Sequence, residues 1–223
     1  MAQSVSIKKI EPLTHDVLRI IAEKPEGISY KPGQAVDVSI NKEGWRDELR
    51  PFTFVSLEDE DHIEFNIKTY TDHDGVTHKL RSLRPGDELL IGEVFGAIEY
   101  KGEGMFLAGG AGITPFLAIF NMLERDKKVG ENTLLFANKA EKDIILKDKF
   151  EKLLGDNFVN ILSDEENPNY EHGFINADLI ERNRTKGIKY YYICGPDPML
   201  DAVEKELKKL GVSDDAIITE DFS

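Results

Sequence analysis

The chain has 223 residues, enough for one large domain or for two of roughly 100 residues each. Its formal net charge of −14 favours solubility and argues against nonspecific binding to nucleic acid or anionic membranes. The single cysteine, Cys194, excludes an internal disulfide and a cysteine-bound iron–sulfur cluster. No apolar run approaches the ~18 residues of a membrane span, and residues 1–9 lack the apolar stretch of a secretory signal. The expectation is a cytoplasmic protein without membrane insertion.

The first hundred residues carry short alternating runs at 5–10, 17–22, 35–40, 52–57, 62–69 and 88–92. In His62-Ile63-Glu64-Phe65-Asn66-Ile67-Lys68 every second residue is apolar, the period of a strand with one buried face. Turn signals separate the runs: Glu26-Gly27, Lys31-Pro32-Gly33 and Arg84-Pro85-Gly86-Asp87. Strands at this spacing predict an antiparallel barrel or sandwich, interrupted by a helical segment at 77–83.

From about residue 102 the texture becomes alternating strand and helix. Strands are predicted at 105–108, 133–137, 158–162, 190–194 and 217–219, and helices at 115–125, 143–154, 177–184 and 198–210. This order predicts a parallel sheet covered on both faces by helices. The fold expected is thus α+β in two domains, a barrel over 1–101 and a Rossmann-like α/β domain over 102–223, divided near Lys101-Gly102-Glu103-Gly104.

Four motifs carry chemistry. In Gly109-Gly110-Ala111-Gly112-Ile113-Thr114-Pro115 a buried strand runs into a glycine turn and a helix start, an arrangement that aims backbone N–H groups at an anion. Pro115 is expected at the first helical position. In Arg50-Pro51-Phe52-Thr53 an arginine fork suited to phosphate stands two residues from an aromatic ring on the same strand face, next to a threonine hydroxyl. Asp74-Gly75-Val76-Thr77 leads into a helix with Thr77 as the expected N-cap. Cys194-Gly195-Pro196-Asp197-Pro198-Met199 follows another strand end, with Asp197 the expected cap of the next helix. No histidine lies near Cys194 in sequence, so a small pocket wall suits it better than a nucleophile. His73 and His78, near Asp72 and Asp74, do not reproduce a metal-binding spacing, so no metal is expected.

Taken in order, these motifs resemble the ferredoxin–NADP reductase superfamily, in particular its small bacterial flavodoxin/ferredoxin reductases and flavin reductases, over essentially the whole chain. The resemblance implies a flavin on the barrel, FAD with FMN as the lesser alternative, and NADPH or NADH on the α/β domain as hydride donor. It implies that Arg50 contacts the flavin phosphates, that Phe52 stacks on the isoalloxazine and that Thr53 approaches its N5, with Pro51, Ile67 and Lys68 beside them. Gly75, Val76 and Thr77 would hold the pyrophosphate. Gly109, Gly110, Gly112, Thr114, Cys194, Gly195 and Pro196 would line the nicotinamide site, Glu220 would be the carboxylate near the C-terminus, and Phe222 the aromatic that covers the flavin. Thr53, Thr114, Cys194 and Glu220 are the residues placed at the reacting atoms.

The activity implied is hydride transfer from NAD(P)H to FAD, then electron transfer to a small redox protein such as ferredoxin or flavodoxin. A reductase of free flavin and a non-enzymatic redox sensor are the alternatives. The strand at 133–137 ends in Asn138-Lys139 with no carboxylate, which removes one argument for NADH; Lys139 and Lys142 are the cations available to a 2′-phosphate. Lys79, Arg81 and Arg84 form the expected basic patch for an acidic carrier.

Overall fold

The computed structural model describes residues 2–72, 74–96 and 98–220. The N-terminal half forms an antiparallel sheet of β1 (Gln3–Pro12), β2 (Val17–Glu23), β3 (Ala35–Ile40), β4 (Arg50–Thr53), β5 (His62–Lys68) and β6 (Glu88–Phe95), in the order β4-β3-β6-β1-β2-β5. Alternation decides the faces: Ile63, Phe65 and Ile67 of β5 are buried with Ile20, Val38 and Leu89 in one apolar core. The sheet curls toward closure where the chain leaving β4 meets β5, with Val55 N donating to Glu64 O at 2.9 Å. The strand expected at 52–57 runs instead over Arg50–Thr53: Phe54 N still reaches Gln34 O at 3.1 Å beside β3, but Val55 N turns to Glu64 O of β5. The short helix α1 (Val76–Leu80) follows β5, and it ends before the expected residue 83.

The C-terminal half is a parallel sheet in the order β10-β9-β8-β7-β11-β12. Its strands are β7 (Gly104–Gly109), β8 (Thr133–Asn138), β9 (Phe158–Leu162), β10 (Glu171–His172), β11 (Tyr190–Cys194) and β12 (Ile217–Thr219). The helices are α2 (Ile113–Arg125), α3 (Lys147–Leu154), α4 (Ala177–Arg182) and α5 (Asp197–Lys209). Central β7 is buried along its whole length, as a strand covered on both faces must be. Phe106 on β7 stacks on Tyr192 of β11 at 4.4 Å and meets Phe116 and Phe120 of α2 at 5.0 and 4.7 Å.

Helix α2 is apolar on more than one face because it lies between its own sheet and the barrel. Its Phe116 and Phe120 join Val17 and Val55 of the barrel in one continuous core. Asn121 Nδ2 donates to Val55 O at 2.8 Å, and Arg125 pairs with Asp59 at 2.8 Å. On another side His15 Nδ1 of the β1–β2 turn lies 3.6 Å from Asp143 Oδ1. The strand order reverses between β7 and β11, so the crevice at their carboxyl ends is where a ligand of such a sheet is expected. Among the described residues no helix is long and apolar enough to cross a membrane.

Candidate active site

The glycine turn after β7 and the Cys194-Gly195-Pro196 turn after β11 flank that crevice and pack against each other. A Cβ on Gly112 would lie 2.3 Å from Cys194 O, and one on Gly109 2.3 Å from Met199 Sδ. Gly112 is thus demanded by the approach of the two backbone turns, whereas Gly109 gives room to the Met199 side chain. Gly110 differs: its φ is +52°, and a Cβ there would meet nothing within 4 Å, so it serves the turn and leaves open space in front of it. Gly110–Gly112 form a 3₁₀ turn that runs directly into α2. The helix therefore begins at Ile113 with Gly112 as N-cap, and Pro115 is third in the helix, not first. The position still suits proline, because the N–H groups of a helix's opening turn have no intrahelical acceptor. Neither α2 nor α5 has a side-chain cap. Pro196 is the N-cap of α5, which makes Asp197 the first helical residue instead of the expected cap.

A cavity of 460 Å³ opens between the two domains. From the barrel it is lined by Pro51, Phe52, Thr53, Asn66, Ile67, Lys68, Tyr70 and Thr77. From the α/β domain come Gly109, Gly110, Gly112, Thr114, Cys194, Gly195, Pro196 and Glu220. Most of the residues expected at the site thus meet in one place. Arg50 does not line this cavity: it is exposed, its guanidinium donates to Leu49 O at 2.6 Å, and it lies 3.5 Å from Glu48. Gly75 and Val76 are likewise absent from the lining, and Val76 packs into the barrel core. Gly75, not Thr77, is the N-cap of α1; Thr77, two residues later, lines the cavity. Phe222 lies outside the described residues.

Two features of this cavity were not singled out from sequence. Asn66, 5% exposed on the face of β5 opposite the barrel core, has neither its amide nitrogen nor its carbonyl oxygen paired among the described residues. Buried polar atoms without partners cost stability, and a ligand with both a donor and an acceptor would satisfy this one. Its position on the polar side of the 62–69 alternation was the available signal. The second is an adjoining groove of 350 Å³, in which Asp143, Ser163, Phe174 and Met199 join the Asn138-Lys139 strand end read from the sequence. Lys68, Gly109, Gly110 and Pro196 line both spaces, so they form one continuous crevice. Asn138 and Ser163 follow from the strand-end rule for parallel sheets; Phe174, 77% exposed, sits in a loop with no periodic signal.

Cys194 and Glu220 form the polar floor. The thiol donates to Glu220 Oε2 at 3.6 Å. Burial pushes the Cys194 thiol well above its ordinary value, and the neighbouring carboxylate adds to the shift. Burial and the neighbouring carboxylate both disfavour the thiolate, which suits a pocket wall better than a nucleophile. Burial also raises Glu220, against the lowering effect of the Cys194 hydrogen bond. A carboxyl whose native value is raised favours the folded state fully below the unfolded value of 4.5, and that contribution is lost as pH rises through the native value. Glu220→Gln is therefore expected to stabilise the protein at pH 7, with the difference vanishing below about pH 4.5; urea melts at the two pH values check this. Thr114 Oγ1 donates to Ala111 O at 3.0 Å and so braces the glycine turn from inside.

Two members of the basic patch expected from sequence have partners within the chain. Lys79 Nζ lies 5.9 Å from the centroid of the Trp45 ring, and Arg81 donates to Thr69 Oγ1 at 2.9 Å.

Comparison with known proteins agrees with this layout. Residues 2–87 match the family model described as an FAD-binding domain, and residues 106–205 match that of an oxidoreductase NAD-binding domain. The chain is 30% identical to NADH-cytochrome b5 reductase 2 of Mycosarcoma maydis, over 89% of this chain and 63% of that protein. It is 31% identical to NADH-cytochrome b5 reductase 1 of Aspergillus terreus, over 94% of this chain and 78% of that protein. A ferredoxin NADP+ reductase from Neisseria gonorrhoeae, solved with bound FAD and NADP, shares the fold with a TM-score of 0.84 at 20% identity, covering 98% of this chain and 97% of that one. With the barrel, the parallel sheet and the shared crevice in place, the chain belongs to the ferredoxin–NADP reductase superfamily of NAD(P)H-dependent flavoprotein reductases.

Proposed function

We propose that the protein accepts hydride from NADH in the β7–β11 crevice and delivers electrons, by way of FAD on the barrel, to a separate small redox protein. The observation that carries this reading is the junction of the two spaces at Lys68, Gly109, Gly110 and Pro196. A planar ring held on the barrel side and a nucleotide held on the α/β side would meet there. Bound FAD supplies a two-electron acceptor that can release its electrons one at a time.

The chain's own residues align and enclose. Phe52 and Thr53, with Pro51, Ile67 and Lys68, would hold the flavin ring, and the unpaired Asn66 amide offers it both a donor and an acceptor. Gly75, Val76 and Thr77 would hold its pyrophosphate, with Arg50 released from Glu48 to pair with it. Thr114, Cys194, Gly195 and Pro196 would position the nicotinamide, whose transfer needs close alignment and no general base. Cys194 keeps its proton and Glu220 closes the floor behind it.

The groove favours NADH. Among its described lining residues there is no arginine, and the Asp143 carboxylate faces the same space as Lys139. Lys142 does not line it. The buried, unpaired Asn138 Nδ2 is a donor suited to a ribose hydroxyl. The kcat/KM with NADH is expected to exceed that with NADPH by at least about 10-fold, a difference of ~1.4 kcal/mol. Stopped-flow reduction of the FAD-loaded protein by each nucleotide tests this; equal rates would refute the assignment of NADH. The acceptor follows from the same assay run with a ferredoxin, a flavodoxin and a cytochrome b5-type haem protein. Flavin that is lost on gel filtration, with free flavin reduced in its place, would convert the reading to a flavin reductase.

A further inference from the structure

Asn66 lines the larger space of the crevice at 5% exposure, with both Nδ2 and Oδ1 unpaired among the described residues. The cations around it are engaged elsewhere. Arg19, opposite Asn66 in the β2–β5 ladder, donates to the two oxygens of Glu64 at 2.9 and 2.6 Å and to Glu11 at 3.2 Å. Lys68 Nζ lies 3.1 Å from Asp16 Oδ2. No described protein group therefore fixes the orientation of the amide, which presents a donor beside an acceptor. Its place in the crevice is specific. Asn66 and Lys68 share one face of β5, and Lys68 stands where the two spaces join. The barrel strands meet where Val55 N donates to Glu64 O at 2.9 Å. Thr53, two residues before that contact, and Asn66, two residues after it, both line the cavity. The amide thus lies beside the junction at which the two bound rings would react.

We propose that Asn66 selects the reduced flavin ring over the oxidised one by pairing with its N5 and C4=O edge, and so raises the midpoint potential of the bound cofactor. The inference rests on the flavin reading above and deepens it. In the oxidised ring that edge presents two acceptors, N5 and O4. Hydride from NADH adds two electrons to the ring and a hydrogen to N5, and NAD+ departs; the edge then presents a donor beside an acceptor. A primary amide matches the second pattern with both of its polar atoms: Oδ1 accepts from N5–H while Nδ2 donates to O4. Against the oxidised ring Oδ1 meets no donor and stays buried without a partner, which costs free energy. The edge at N3–H keeps one pattern in both states, so an amide placed there would confer no such preference.

The test compares the dissociation constants of oxidised and dithionite-reduced FAD from the full-length protein in the absence of oxygen. Asn66→Leu is expected to lose about 10-fold of the preference for the reduced form, equal to a fall of about 30 mV in the midpoint potential of a two-electron couple. The substitution removes both unpaired polar atoms at similar volume, so the apoprotein is expected to melt no lower than wild type, which is the folding control. A second probe needs no variant. In 5-deaza-FAD a carbon replaces N5 and cannot donate. Wild-type protein is expected to prefer the reduced form of FAD about 10-fold more strongly than that of 5-deaza-FAD, each relative to the free cofactor. A reduced-to-oxidised ratio untouched by Asn66→Leu would overturn the assignment, even with both constants weakened together. Equal preferences for FAD and 5-deaza-FAD in the wild type would overturn it by placing the amide away from N5. Weaker NADH binding in Asn66→Leu with an unchanged FAD ratio would give the amide to the nicotinamide carboxamide instead. In each of these cases the flavin reading stands; a wild-type chain that binds no flavin would overturn both.

Discussion

Gly112→Ala is expected to lower turnover with NADH by on the order of 100-fold and to cost ~1–3 kcal/mol of stability. The added Cβ would lie 2.3 Å from Cys194 O and 2.6 Å from Gly195 N. All the atoms it meets are backbone, so no side chain can rotate away. Either α2 backs off from β11 or the Cys194 turn is pushed into the crevice, and in both cases the two walls of the proposed nicotinamide site part. Gly110→Ala is the matched control. It meets open space and carries only the strain of an αL residue at φ +52°, about 1 kcal/mol. Steady-state kinetics and urea melts of the two variants are the check; a Gly112→Ala protein as active as Gly110→Ala would show that the approach of the turns does not position the donor.

Phe106→Ala is expected to have the largest effect on stability, ~3–5 kcal/mol. Phe106 is fully buried and touches Tyr192, Phe116 and Phe120. Deleting it leaves a cavity where β7, β11 and α2 meet, directly beneath both turns of the crevice. For a chain of this size the melting temperature would fall by roughly 10 °C. Since α2 shares its core with Val17 and Val55 of the barrel, the loss is expected to appear in both domains in thermal scans followed by circular dichroism and by flavin release.

Much of this arrangement was legible in the residues. The strands at 158–162, 190–194 and 217–219 stand where their apolar runs placed them, because a buried parallel strand needs both faces apolar and little else codes that way. Elements set by tertiary partners were harder. The helix expected from 143 begins at Lys147, since Asp143 caps Ala140 N in a 3₁₀ turn and Leu146 takes a φ of 52°. The two-residue strand β10 is too short to show a period.

The site divides in the same way. The glycine turn and Cys194 announced themselves because backbone approach demands particular residues at particular places. Asn66 and Asp143 did not, since each is an ordinary residue made special by what the fold sets opposite it. Arg50 shows the converse: its motif was plain, yet in this structure its side chain lies against Glu48 and Leu49, outside the crevice.

In the proposed reaction a nicotinamide nucleotide on the α/β domain reduces a flavin held by the barrel across the junction at Gly109, Gly110, Pro196 and Lys68. Anaerobic titration of the purified, FAD-reconstituted protein with NADH, followed by its visible spectrum, is the decisive measurement. One flavin per chain, fully bleached by one equivalent of NADH, is the expected result. A flavin band that persists with excess NADH and with excess NADPH would contradict it.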